Sequence, residues 1–225
     1  MMTPAELANE IRNFRKVNNI EHGFSYSYED WYDWRILFSH QQATRGDEKW
    51  FANAIGGNTE GTGKQWWEPF NREVDVGDGY VGNAIAVGKN NYDLKVTYQE
   101  RNSITKIGFQ QYRPADPIPF YAAFMGTSKT DYTLIIVPKG IALRMKSDKI
   151  LKTGKLGSAH GTGLYDKMTT EEKLQVLTEA NSSGKSCVVG FEVTKRTQKD
   201  DFELLMDKYR MKLDDVSDFI LNYNS

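Results

Sequence analysis

The sequence predicts a mixed α/β (α+β) domain in which a central mixed β-sheet is flanked by helices. Three observations predict it. The first quarter carries apolar residues at helical spacing. From Gly77 to Val137 the texture changes to alternating or continuous apolar runs set apart by turn signals. The last third returns to helical patterning around one further strand. The 225 residues suit one domain over 1–225, with N-terminal helices over 1–56 and a helical extension over about 195–225. A chain of this length buries a substantial core without disulfides or structural metal.

The elements follow in order. Thr3-Pro4-Ala5-Glu6 supplies an N-cap, a proline at the first helical position and an acid in the first turn, and Leu7, Ile11 and Phe14 continue a helix to about residue 17. A second helix, beginning near Ser27 or Tyr28, holds Trp31, Trp34, Ile36, Leu37 and Phe38. A third spans about 44–55 with Trp50, Phe51, Ala54 and Ile55 on its apolar face, and ends at Gly56-Gly57 before a loop rich in Gly, Asn and Thr. Residues 80–87 read as a strand, Gly88-Lys89-Asn90-Asn91 as a hairpin turn, and 92–98 as the returning strand. Further extended segments lie at 107–112, 118–124 and 132–137. The last of these is nearly continuous in Leu134-Ile135-Ile136-Val137, which suits a strand buried on both faces. A glycine-rich loop at 155–163, a helix at 169–180, a strand at 187–193 and helical material over 200–223 complete the chain. The final stretch reads as a packed or dimer-forming pair joined at Met211-Lys212.

Composition removes several function classes. The single cysteine, Cys187, lies in an apolar run and reads as an inert buried thiol; it excludes an intramolecular disulfide and a cysteine zinc cluster. His22, His40 and His160 show no metal-binding repeat. No serine elbow is present, and the Gly57 to Lys64 stretch, which superficially resembles a phosphate loop, lacks its first glycine and has Gln65 at the final hydroxyl position. No apolar stretch is long enough to span a bilayer and no signal peptide is evident, so no membrane association is expected and the cytoplasm is the default address. The net charge of −1 neither favours nor opposes a polyanionic partner, because cations need only gather on one face. With 5 Trp, 12 Tyr and 11 Phe the chain is rich in aromatics; the pair Trp66-Trp67 is expected to cap the core rather than to stack on a base.

The segment that carries chemistry is Gly77-Asp78-Gly79, followed after the turn by Asp93-Leu94-Lys95. Residues two apart on a strand share a face, so Asp93 and Lys95 point the same way, and a hairpin returns Asp78 toward them. Two carboxylates and an ammonium suit a hard divalent cation such as Mg²⁺ and a water next to it. The competing reading is a solvated strand face. Asp75 is the alternative to Asp78.

This segment, Gly77-Asp78-Gly79 with Asn91-Tyr92-Asp93-Leu94-Lys95, resembles the PD-(D/E)XK nuclease superfamily and, more closely, a type II restriction endonuclease. The proline often found before the first acid is replaced here by Gly77. Three further segments occur in the order that such enzymes show. Gln110-Gln111-Tyr112-Arg113-Pro114 is similar to a Gln-x-Arg-Pro segment, and 131–139 is similar to a core strand ending in Pro-Lys. Ser158-Ala159-His160-Gly161-Thr162 is similar to a Ser-His-Gly-Thr loop with one residue inserted. The similarity covers about 45–162.

The resemblance implies a restriction-endonuclease-like fold and a Mg²⁺-dependent, sequence-specific cut in double-stranded DNA. Asp78 and Asp93 would hold the metal, Lys95 would position and help activate the water, and Glu48, favoured over Asp47, would complete the catalytic set. The alternative for Glu48 is a helix N-terminal acid complementing the dipole. Gln111, Arg113, Lys155, His160 and Thr162 are the expected DNA contacts, with an ion pair as the alternative for Arg113. Expected partners are duplex DNA, a second copy in a homodimer, and a cognate DNA methyltransferase that forms no stable complex. The rival functions are a non-specific, repair or phage nuclease of the superfamily, and a catalytically inactive DNA-binding protein on its fold.

Overall fold

Continuous apolar runs such as Leu134–Val137 need a covered face on each side of the sheet, and the chain supplies both. The computed structural model describes residues 45–97, 104–112, 116–126, 132–153, 169–172, 174–175 and 189–223. The strands in chain order are β1 (Gly57–Asn58), β2 (Lys64–Trp67), β3 (Arg72–Asp75), β4 (Gly79–Val81), β5 (Asn91–Thr97), β6 (Lys106–Tyr112), β7 (Phe120–Gly126), β8 (Tyr132–Pro138), β9 (Val189–Thr194) and β10 (Arg210–Met211). Six of them make the central sheet in the order β1-β4-β5-β7-β8-β10. β5 and β7 are parallel, and every other neighbouring pair is antiparallel, so the sheet is mixed as expected. β2 with β3, and β6 with β9, form two separate ribbons.

Among the described residues the longer helices are α1 (Arg45–Ala54), α2 (Lys139–Thr153), α3 (Lys199–Lys208) and α4 (Val216–Asn222), and residues 170–172 and 174–175 are also helical. On one face of the sheet Trp50, Phe51 and Ile55, from α1 and its end, and Val216 and Ile220 of α4 pack on Tyr92, Leu94, Val96, Phe120, Phe124, Leu134 and Ile136. On the other face α2, α3 and the β6–β9 ribbon pack on Tyr121, Ala123, Met125, Ile135 and Val137. Phe51 sits edge-on to both Tyr92 and Phe124, which fixes α1 over β5 and β7. Gly56 then ends α1 at a φ of 69°, a conformation that side chains resist.

The structure corrects several expectations. The strand expected over 80–87 is only Gly79–Val81. Beyond it the chain forms a loop pinned by Asn90, whose amide donates to the Val81 and Ala84 carbonyls while its Oδ1 accepts the Ala86 amide. Those backbone groups bond to a side chain instead of a neighbouring strand, so the ladder stops. The glycine-rich loop after α1 contains β1 and β2. Trp66 does not cap the core: it is 59% exposed on the β2–β3 ribbon, where its indole N–H donates to Glu68. Residues 139–153, for which no helix was expected, form α2. The C-terminal helical pair is interrupted by β10, which pairs with the edge of β8. The helices expected at 3–17 and from Ser27 or Tyr28, the loop at 155–163 and Cys187 lie outside the described residues.

Candidate active site

The site forms where β4 leaves β5. The two strands pair only at Gly79–Tyr92 and Tyr80–Asn91, and on the other side of that pairing the chain turns away at Asp78. The Asp78 amide still donates to the Tyr92 carbonyl at 2.8 Å, and its carboxylate accepts the Leu94 amide at 2.6 Å. The Asp78 side chain therefore takes the place of the missing strand and satisfies an edge donor of β5. Both flanking glycines are forced. A Cβ at Gly77, where φ is +89°, would lie 2.3 Å from the Tyr92 carbonyl oxygen, and one at Gly79 would lie 2.2 Å from the Tyr92 hydroxyl oxygen.

β5 holds Asp93 and Lys95 on one face, in line with Tyr121 and Ala123 of β7, positions where a central strand would otherwise carry apolar side chains. The Lys95 Nζ donates to Asp93 Oδ1 at 2.8 Å and lies 3.9 Å from Asp78 Oδ2. Both acids and the lysine are largely buried, with side-chain exposures of 23% for Asp78, 10% for Asp93 and 15% for Lys95. The three residues expected to form the catalytic core converge.

The electrostatics follow from that burial. Burial pushes the Asp93 pKa well above the usual carboxylate range; Lys95 opposes this, while the charge of Asp78 and its hydrogen bond with Asp93 reinforce it. For Lys95, burial alone would favour the neutral amine. Asp93, Asp78 and Glu48 together outweigh it and hold the ammonium charged, above its ordinary pKa. Glu48, on α1, is thus close enough for its charge to act on Lys95, and it acts on Tyr92 as well. The rival acid Asp75, on β3, accepts the Gly77 amide at 2.9 Å.

Among the described residues, no group of three or more His, Cys, Asp or Glu side chains stands ready-made to hold a metal ion. The donors nonetheless fit a hard divalent cation. Two carboxylates in mutual contact, one driven toward its neutral form by burial and by the other, are relieved by a divalent charge between them. Asp78 and Asp93 are the residues that would hold it.

The expected DNA contacts are not brought to this site by anything described. Gln111 lies on β6, with only its backbone described, and Arg113, Lys155, His160 and Thr162 lie outside the described residues. Sequence reasoning missed the part played by Tyr92, whose phenol lies over Gly79. The signal was present as an aromatic next to the acid of the second strand, opposite a glycine that carries no other obligation. Among the described residues no helix is long and apolar enough to cross a membrane. Comparison of the chain with protein-family models, curated proteins and solved structures finds no match in any of the three.

Proposed function

We propose that the chain is a Mg²⁺-dependent, sequence-specific double-strand DNA endonuclease of the type II restriction class. The observation that carries this reading is the convergence of Asp78, Asp93 and Lys95 at the point where β4 leaves β5, with Lys95 within 4 Å of both acids. The order of the similar segments over 45–162 supports it.

In this reading Asp78 and Asp93 hold the cation, and Glu48 adds negative charge from α1. A bound Mg²⁺ supplies charge to polarise a phosphate oxygen and to lower the pKa of a water next to it. Without the cation, the acids around Lys95 hold its ammonium charged, and its Nζ donates to Asp93. In the reaction Lys95 donates a hydrogen bond to the attacking water or to the phosphate oxygen on which charge builds up. Water oxygen bonds to phosphorus, the bond to one sugar oxygen breaks, and that oxygen leaves with a proton. Leu94 is fully buried on the opposite face, and it fixes the alternation that keeps Asp93 and Lys95 on one side. A homodimer would supply two such sites, one for each strand, and a cognate methyltransferase would protect the host target.

A plasmid digest by the purified protein with Mg²⁺ tests the reading. Discrete fragments with one common end sequence are the expected result. A smear would favour a superfamily nuclease without sequence preference, and binding without cleavage would favour the inactive DNA-binding protein.

A further inference from the structure

Trp66, expected in the core, stands out in solvent on β2, opposite Glu73 of β3. An indole gains much from burial, yet this one stays 59% exposed, and its N–H is tied to Glu68 Oε1 at 2.9 Å. The ribbon that carries it leads directly to the candidate site. Past the Lys64–Asp75 pair the ladder continues through Gly63, whose amide donates to the Gly77 carbonyl and whose carbonyl accepts the Val76 amide, both at 2.9 Å. Gly77 immediately precedes Asp78. Trp66 lies three residues beyond Gly63, or about 10 Å along a strand, and that is about three base-pair steps of a duplex. A Cβ at Gly63 would meet nothing within 4 Å, so the ribbon is uncovered between the ring and the site. The acids beside the ring are engaged: Glu73 pairs with Lys64 at 3.3 Å, Asp75 accepts the Gly77 amide and Glu68 accepts the indole. The ribbon therefore offers a phosphate little free positive charge; what it offers is a flat aromatic face.

We propose that the β2–β3 ribbon is a DNA-contacting arm, and that Trp66 packs its ring against base edges and sugars of the duplex about three base pairs from the scissile phosphate. The inference rests on the nuclease reading above and deepens it, since the partner is the duplex substrate itself. A two-stranded ribbon has the width that the major groove admits, and apolar side chains there touch thymine methyl groups. A ring already tied to its own strand loses little freedom on binding, which favours it as an anchor.

Plasmid cleavage with Mg²⁺ over a range of DNA concentrations tests it on Trp66→Ala and Trp66→Phe. Trp66→Ala should raise KM about 10-fold and leave kcat within about twofold, the mark of a contact made equally before and during the reaction. Trp66→Phe keeps a ring and should hold KM within about threefold of the wild type. Added salt should weaken Trp66→Ala and the wild type by the same factor, because no phosphate pairing has been removed. An unchanged KM for Trp66→Ala overturns the proposal. So does a Trp66→Phe as impaired as Trp66→Ala, since the bond to Glu68 and not the ring would then be what matters. A DNA-free Trp66→Ala that sediments as a different oligomer also overturns it, and makes the ribbon a contact between copies of the chain. Where the wild type cuts, each of these results sinks only the ribbon proposal. A wild type that neither binds nor cuts duplex DNA with Mg²⁺ sinks the nuclease reading, and this proposal with it.

Discussion

At Gly77-Asp78-Gly79 the two glycines have different reasons to be glycine, and the difference can be measured. Gly77 is held at φ +89° against the backbone of Tyr92, so an added methyl meets both a disfavoured conformation and an immovable carbonyl. Gly79 has no such φ, and what stands in its way is the tip of the Tyr92 side chain. Gly79→Ala should cost about 1–3 kcal/mol by overpacking. Most of that should be recovered in a Tyr92→Leu background, whereas Gly77→Ala should gain nothing from the same change. Denaturant midpoints of the single and double variants decide it, and equal rescue of both glycines would show that the phenol is not the obstacle. This also explains how much of the site the sequence made readable. Asp93 and Lys95 follow from strand alternation alone. The choice between Asp75 and Asp78 did not, because it depends on where the chain leaves the sheet, and that departure is set by Gly77 and by the Leu94 amide that Asp78 accepts.

The elements are joined by side chains that replace backbone pairing. Asn91 is fully buried; its amide donates to the Val76 carbonyl at 2.8 Å and the Pro117 carbonyl at 2.7 Å, and its Oδ1 accepts the Gly88 amide at 2.7 Å. One residue thus ties the approach to Asp78, the β4–β5 loop and the entry to β7. Asn91→Ala leaves three backbone groups to find new partners, and at about 1–3 kcal/mol for each group left dry, the loss should be about 3 kcal/mol or more in a urea unfolding series. A cost near that of an exposed substitution would show that the loop is held by other means. The β2–β3 ribbon is anchored in a similar way: Arg72 pairs with the buried Asp116 at 3.0 Å, and Lys139 at the start of α2 donates to the Asp116 carbonyl. Burial lowers the Lys139 pKa to about 8, with Asp116 opposing the shift. Between that value and the ordinary 10.5 the unfolded chain binds more protons than the folded one, so the unfavourable contribution of Lys139 is full below about 8 and fades as pH rises toward 10.5. Wild type should therefore gain stability relative to Lys139→Gln across that window, and parallel stability curves would contradict the assignment. Elements with strong periodicity, α1, β5 and β8, were legible from their apolar spacing. β1 and β2 were not, since strands of two and four residues expose half of what they carry. α2 was hidden by Lys146, which is fully buried in the stripe where an apolar residue would have declared the helix.

Across the whole molecule, the sheet separates two apolar cores, and the candidate site occupies the place where its ladder opens. α1 carries Glu48, whose charge reaches Lys95, while Trp50 and Phe51 fill one core, and β5 contributes Asp93 and Lys95 on the opposite face. The fold class was therefore readable from the sequence in outline, because continuous apolar strands demand two covered faces. The pairing order, with β6 leaving the sheet to join β9, was not, since it rests on contacts between residues far apart in the chain. We propose that this opening in the sheet hydrolyses DNA. The most direct measurement is Mg²⁺-dependent cleavage of a plasmid by wild type, Asp93→Asn and Lys95→Ala, each checked for unchanged secondary structure. Wild-type cutting that stops on chelation, with both variants slower by about 10²-fold or more, is the predicted result. Full Mg²⁺-dependent cleavage by either variant, or none by the wild type, would contradict it.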